Sequence, residues 1–316
     1  MGILRIGVIG TGRIAERFIP ESAKVSGVYA AGVYNPNGES AERFADRWDM
    51  DCCKSLELLY EKVDAVYVAS PHETHYDYAL DALRHGKHVL CEKPLFMKKE
   101  QAGELFAYAR NRSLVLLEGI KTAYCPGFIR LAEVAGSGII GNVRYIDACF
   151  TKLESRDKRE LTDRKYGGSF TELGSYCLLP ILKLFGHDYQ EIRFETIEAE
   201  NGIDLYTRAY LRYRNGLATA SCGLGVKSEG ELIISGTKGY VVLPAPWWKT
   251  QEIEIRYENP GQNEKFFYKF LGDGLRYEIS DFVAAVNGNE KKEHKLKPEE
   301  SVALARVMEA WLGCRE

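Results

Sequence analysis

Three groups of residues in this chain have types and spacings suited to chemistry. Lys93 stands in Glu92-Lys93-Pro94, directly after the apolar run His88-Val89-Leu90-Cys91. If that run is a strand of a parallel sheet, Lys93 lies at the carboxyl end, where ligands bind such sheets. A lysine there can bind a substrate hydroxyl, lower its pKa or relay its proton. The plainer reading is a solvated surface lysine. Glu172 and Tyr176 are four residues apart in a helical pattern and so share a face. A carboxylate beside a phenol can orient it or share its proton; the plainer reading is a polar helix face with a half-buried tyrosine. Gly174, between them, leaves room for a substrate or a ring against the backbone. The third group is Gly10-Thr11-Gly12-Arg13-Ile14-Ala15, a Gly-x-Gly-x-x-Ala turn after the apolar run Ile6–Ile9. Gly10 permits a tight turn, Gly12 lets a pyrophosphate approach the backbone, and Ala15 lets the following helix sit close to the strand. The helix N-terminus then offers N–H groups and a partial positive charge to phosphates. An ordinary strand-to-helix turn is the alternative.

Two further segments bear on this turn. His72-Glu73-Thr74-His75 lacks the four-residue histidine spacing of a helical zinc site, so metal catalysis is not expected. His75 is expected to line a cofactor edge or cap the next helix. After the second apolar run comes Tyr34-Asn35-Pro36-Asn37. Sites specific for NAD place an acid here to hold the ribose hydroxyls. Asn35 is neither acid nor base, and Arg43 follows where it could reach a 2′-phosphate. The cofactor is therefore NAD or NADP, with a lean to NADP.

These residues need elements to position them. The first third alternates strand and helix: strands at Ile6–Ile9, Val28–Tyr34, Ala65–Ala69, His88–Cys91 and Leu114–Glu118, with helices between. The first helix, Ala15–Val25, is expected to be interrupted or ended near Pro20. This rhythm predicts a doubly wound parallel sheet. Later the chain becomes strand-rich, with eight runs between Val143 and Phe270. Asn215-Gly216 marks a hairpin, since both residues tolerate positive φ. A helix near Ser169–Phe185 precedes most of these strands and two more follow. The fold class is α/β: an N-terminal Rossmann sheet over 1–121, then an α+β domain over 122–316 with a large, open, mainly antiparallel sheet. The polar stretch Glu154–Lys165 reads as an exposed loop.

Composition narrows the partners. A net charge of −3 over 316 residues provides no basic field for nucleic acid or an anionic membrane. No apolar run is long enough to span a bilayer. The eight cysteines form no C-x-x-C pair and read as reduced thiols of a cytoplasmic protein. One uncovered face of a large open sheet is an apolar patch unless something covers it, so a homodimer or homotetramer through the C-terminal sheet is expected.

Taken together, these motifs resemble the Gfo/Idh/MocA family of NAD(P)-dependent oxidoreductases, over nearly the whole chain. Gly10–Ala15 looks like its cofactor turn, and Ser70-Pro71-His72-Glu73-Thr74-His75 like its third-strand motif, with His72 where Asn is common. Gly86-Lys87-His88-Val89-Leu90-Cys91-Glu92-Lys93-Pro94 is similar to its most specific signature. The resemblance implies that Gly10, Thr11, Gly12, Arg13, Ile14, Ser70, Pro71, His72, His75, Glu92 and Lys93 serve the cofactor, beside Asn35 and Arg43 read from their position above. It also implies that Lys93 positions the nicotinamide and relays a proton. Where the family shows Asp and His four apart, this chain has Glu172 and Tyr176. That is similar to the branch of glucose-fructose oxidoreductase and the dimeric dihydrodiol dehydrogenases. There, the phenol and the lysine are the acid/base pair. Lys121 and Ala123 replace that branch's Trp and Arg. The implied activity is hydride transfer between a nicotinamide and a secondary alcohol or ketone of a sugar, polyol or cyclic diol. The implied catalytic residues are Lys93, Tyr176 and Glu172. The competing reading is a non-catalytic NAD(P)-sensing regulator of the same fold.

Overall fold

The first sheet is built from six short strands: Leu4–Ile9 (β1), Val28–Tyr34 (β2), Asp51–Cys52 (β3), Ala65–Val68 (β4), His88–Glu92 (β5) and Leu116–Gly119 (β6). In this computed structural model, which describes residues 2–288 and 295–315, every pairing among them is parallel. The order is β3-β2-β1-β4-β5-β6, the doubly wound order with its switch between β1 and β4. All four residues of β4 are buried, as a strand covered on both faces requires. The crossovers are helices Arg13–Ser22 (α1), Gly38–Trp48 (α2), Leu56–Lys62 (α3), His75–Arg84 (α4) and Lys99–Asn111 (α5).

Two details depart from the sequence reading. Helix α1 runs through Pro20 rather than breaking there. Pro20 is exposed, so its missing N–H falls on the solvent side, while buried Phe18, Ile19 and Ser22 hold the turn in place. The edge strand β3 and the seven-residue α3 were not foreseen; both are too short to show a periodic pattern.

The chain divides into two compact units: residues 1–124 with 271–305, and 125–270 with 306–316. The sequence reading had a single crossing at 121/122. In the structure the chain returns to the first unit through helix Leu275–Val286, and a physical reason is evident. Arg276 on that helix grips the buried Glu21 of α1 with two side-chain hydrogen bonds, of 2.5 and 3.0 Å. Leu275, Ile279 and Phe282 are wholly buried beside it. The first unit also holds the short helix Lys121–Tyr124 (α6).

The second unit has helices Pro126–Gly136 (α7), Arg159–Thr162 (α8) and Ser169–Phe185 (α9), and an eight-stranded sheet. Its strands are Val143–Thr151 (β7), Glu191–Glu198 (β8), Asp204–Tyr213 (β9), Gly216–Gly223 (β10), Leu232–Gly236 (β11), Tyr240–Leu243 (β12), Glu252–Arg256 (β13) and Glu264–Phe267 (β14). The returning helix of the first unit is then α10, and Pro298–Gly313 is α11. The order is β14-β13-β12-β11-β7-β10-β9-β8. All pairs are antiparallel except β7 with β10. Helix α9 packs on β7, β9 and β10 through alternate buried residues such as Ile146, Ala148, Ala209, Leu211 and Ala220.

The intervening positions are not the apolar patch expected. Arg208 donates to Ser221 (2.8 Å), Tyr145 pairs with Thr219 (3.2 Å), and Thr219 donates to Asp147. The hairpin between β9 and β10 forms, but Arg214-Asn215 makes the turn. Neither Asn215 nor Gly216 takes a positive φ. Gly216 is needed for space, since a Cβ there would meet the Phe185 ring at 2.7 Å. The polar stretch 154–165 contains the short helix α8 rather than being loop throughout.

Candidate active site

In the first unit, the glycine turn joins β1 to α1. Gly10 has φ +104°, and a Cβ on it would lie 2.6 Å from the Ala69 carbonyl oxygen at the end of β4, so only glycine fits. Gly12 is the N-cap residue of α1. The space where its Cβ would stand is open to 4 Å, and no side chain caps the helix. An open cradle at an uncapped helix N-terminus fits the pyrophosphate of a dinucleotide. Arg13 and Ile14 begin the helix.

Beside the turn, Asn35 at the end of β2 donates to the Thr11 hydroxyl (2.7 Å), which pairs with that of Ser40 (2.9 Å). Asn37 caps α2 by accepting the Ser40 N–H at 3.0 Å. Arg43 lies 3.7 Å from Glu39 on the same helix, both well exposed. The structure thus gathers Thr11, Asn35, Asn37 and Ser40 into one polar network, with Arg43 a turn further along.

Ser70, Pro71, His72 and His75 follow β4. The Ser70 hydroxyl accepts from Thr74 (2.7 Å). His72 stands edge-on to His75, ring centroids 5.7 Å apart. The expectation for His75 needs correcting. Its ring is fully buried rather than lining an edge, and it begins α4 without capping it. Nδ1 lies 3.0 Å from the Pro94 carbonyl oxygen and Nε2 3.0 Å from that of Ser70. Burial pushes its pKa down, against the pull of the two carbonyls; the neutral ring carries one N–H and donates to one of them. His75 is therefore packed between the two ligand-side turns, within hydrogen-bond reach of a carbonyl on each.

The second of those turns carries Lys93. It follows β5, is half-buried, and precedes Pro94 through a cis peptide. Its surroundings are acidic. The buried Glu92 accepts from the Tyr67 hydroxyl (2.6 Å) and from the Lys93 N–H (3.3 Å). Glu118, at the end of β6, accepts the Leu95 N–H at 2.9 Å. Its other carboxylate oxygen is buried with no hydrogen-bond partner. Burial pushes the Glu118 carboxyl up to about 7, against hydrogen bonds from Ser301 and Leu95. Glu278 of α10 is also buried, with neither oxygen hydrogen-bonded. It lies near the Gly119 backbone. Burial, then the charge of Glu92, drives its pKa well up against the pull of Lys121. Lys121 and Ala123 are themselves buried in α6. Glu92, like His75, is thus buried beside this turn.

In the second unit, Glu172 and Tyr176 are both half-buried on α9. The helix start is built by a residue the sequence reading missed. Buried Asp204 accepts the Phe170 N–H (2.8 Å) and the Thr207 hydroxyl (2.7 Å). Its backbone carbonyl accepts from Ser169 (2.9 Å). Burial raises its pKa to about 6. Gly174 makes room for a ring, but that ring is Phe170. A Cβ there would lie 3.2 Å from Phe170 and 3.0 Å from the Met308 methyl. Tyr176 meets Phe150 of β7 edge-on at 5.4 Å, and Trp248 stacks on Phe150 at 3.5 Å. Nothing in the local sequence signalled these aromatics as its neighbours. Lys152 pairs with Glu154 (2.5 Å), and Lys165 lies over the Tyr166 ring.

The family model described as "Oxidoreductase family, NAD-binding Rossmann fold" matches residues 4–120, and the "GFO/IDH/MocA C-terminal domain" matches 128–242. A scyllo-inositol 2-dehydrogenase (NADP(+)) from Bacillus subtilis is 27% identical, over 97% of this chain and 95% of its own. A trans-1,2-dihydrobenzene-1,2-diol dehydrogenase from Oryctolagus cuniculus is 30% identical over 78% of this chain and 77% of its own. A 3-ketoreductase from Actinomadura kijaniata, solved with NADP and TDP-benzene, superposes with a TM-score of 0.81. It is 25% identical, covering 97% of this chain and 96% of its own.

Proposed function

Because this chain belongs to the Gfo/Idh/MocA family of oxidoreductases, we propose that it interconverts a secondary alcohol and a ketone on a sugar, polyol or cyclic diol. The observation that carries this reading is the Lys93 turn. It stands at the carboxyl end of β5 and is pinned by His75 through the Pro94 carbonyl and by Glu118 through the Leu95 N–H. A surface lysine would need no such framework. A bound nicotinamide cofactor supplies the hydride chemistry. Gly10, Thr11, Gly12, Arg13 and Ile14 hold its pyrophosphate. Ser70, Pro71 and His72 line its path, and His75 and Glu92 brace it from beneath. Lys93 and Tyr176 carry the hydroxyl proton, and Glu172 orients the phenol or the substrate. A free phenol titrates near pH ~10, so Tyr176 depends on cationic help to act as a base near neutrality.

NADP is the cofactor supported best. An amide held by Thr11 occupies the position after β2, with no acid there to repel a 2′-phosphate, and the named bacterial relative is NADP-dependent. Lys121 and Ala123 are buried, so their departure from the family branch says little against catalysis and little for a sensor. A homodimer or homotetramer through the eight-stranded sheet remains part of the proposal, although the polar side chains on that sheet bond to one another. Eight cysteines with no disulfide among the described residues support a reducing, cytoplasmic setting.

Separate calorimetric titrations with NADPH and NADH test the cofactor, and a panel of inositols, aldoses and cyclic diols then tests turnover. Lys93→Ala should bind NADPH within a few-fold of the parent and lose nearly all turnover. Full turnover in that variant would end the mechanism.

A further inference from the structure

The segment Pro244–Thr250 closes β12 and leads to β13, and its two tryptophans differ in role. Trp247 is an anchor. It is almost wholly buried, and its indole N–H donates to the Cys149 carbonyl at 2.8 Å. The Thr250 hydroxyl donates to the Trp247 carbonyl (2.7 Å), and the Lys249 N–H to that of Pro246 (2.8 Å). Gly127 presses on the same turn, since a Cβ there would collide with the Thr250 carbonyl. The turn is therefore fixed to β7 at Cys149, one residue before Phe150.

Trp248 uses that rigidity. Its ring lies flat on Phe150, centroids 3.5 Å apart and planes 11° apart. Phe150, buried, meets Tyr176 edge-on at 5.4 Å and 62°. The aromatic edge-to-face contact has a preferred geometry, so the Phe150 ring plane limits where the phenol points. The Trp248 indole, carried on the turn that Trp247 anchors, covers one face of the Phe150 ring and restricts its rotation.

We propose that Trp248 is a positioning residue for the Tyr176 phenol, acting through Phe150. It rests on the reading of Tyr176 as the group that exchanges the substrate proton. Rates fall steeply when a proton-transferring group drifts by an ångström from its productive position.

The test uses the full chain labelled with 3-fluorotyrosine, its Tyr176 fluorine resonance assigned by Tyr176→Phe. In Trp248→Ala that resonance should move or broaden. Turnover with the best alcohol of the panel should fall roughly tenfold in kcat, with KM changed much less and NADPH affinity unchanged. Trp248→Phe, which restores a flat ring, should recover both. A resonance that stays put, or a change in KM alone, overturns the proposal. If Trp248→Ala does not fold, Trp248→Leu keeps apolar bulk without the flat face and carries the same expectations. If Tyr176→Phe keeps full turnover, the catalytic reading of Tyr176 fails. The resonance then still decides whether Trp248 fixes the ring.

Discussion

Replacing Glu118 by Gln should make the protein more stable the higher the pH. In the fold this carboxyl titrates at about 7 rather than 4.5, because it is buried, one oxygen has no partner, and Glu92 is nearby. A carboxyl raised in this way contributes its full stability below pH 4.5. That stability drains away as pH climbs, until the folded group has also ionised. The gap between 4.5 and about 7 is worth about 3.4 kcal/mol, at ~1.36 kcal/mol per pH unit. Over the convenient range from pH 5 to pH 8, linkage gives a loss of about 2.5 kcal/mol. Glutamine keeps an oxygen for the Leu95 N–H and cannot ionise. Any cost of its extra N–H group is the same at every pH and cancels from the slope. Urea unfolding of parent and variant at pH 5, 6, 7 and 8, at one ionic strength, measures the difference directly. The Gln advantage should grow by about 2.5 kcal/mol across the series. A difference that is flat, or that shrinks with pH, would refute the claim that Glu118 is held partly protonated beneath the Lys93 turn.

Three other outcomes follow from the geometry. Arg276→Ala leaves Glu21 buried without its bidentate partner and should cost about 3 kcal/mol by urea titration; a loss under about 1 kcal/mol would mean that α10 is held by apolar contacts alone. Gly10→Ala forces a side chain into φ +104° and against the Ala69 carbonyl. It should destabilise by about 2 kcal/mol and weaken NADPH binding at least tenfold by calorimetry. Tyr176→Phe should retain NADPH affinity and lose most turnover, with no residual alkaline activation; unchanged turnover would move the acid/base role elsewhere.

How much could be read in advance depended on whether the deciding partner was local. Strands β1, β2, β4, β5 and β6 are short apolar runs with turn residues at their ends, and their alternation with helices determined the parallel sheet. The Lys93 and Gly10 turns were legible because strand, turn and helix are contiguous there. Strand β3, with two residues, carries no pattern at all. Glu118, Glu278 and Asp204 could not be recognised because their burial comes from residues tens or hundreds of positions away. The Asn215-Gly216 pair marked the right hairpin for the wrong reason, since crowding by Phe185 selects the glycine. Gly174 was placed correctly between two candidate residues, but the ring it admits is the protein's own. His75 reads as a ligand-side histidine in sequence and is a buried strut in space.

The return of residues 271–305 to the first unit has a consequence for how the chain comes to be. A chain is made from its N-terminus, so the parallel sheet is synthesised first, yet it cannot be finished first. Glu21 waits some 250 residues for Arg276. Residues 306–316, which supply Trp311 against Phe170 and Arg315 beside Asp204, are later still. The first unit is incomplete until residues 271–305 have emerged, and the second until the residues after 305 have. A nascent or truncated chain ending before residue 270 would carry a sheet with one flank unsealed and Glu21 unmatched, the kind of incomplete surface that chaperones and proteases act upon.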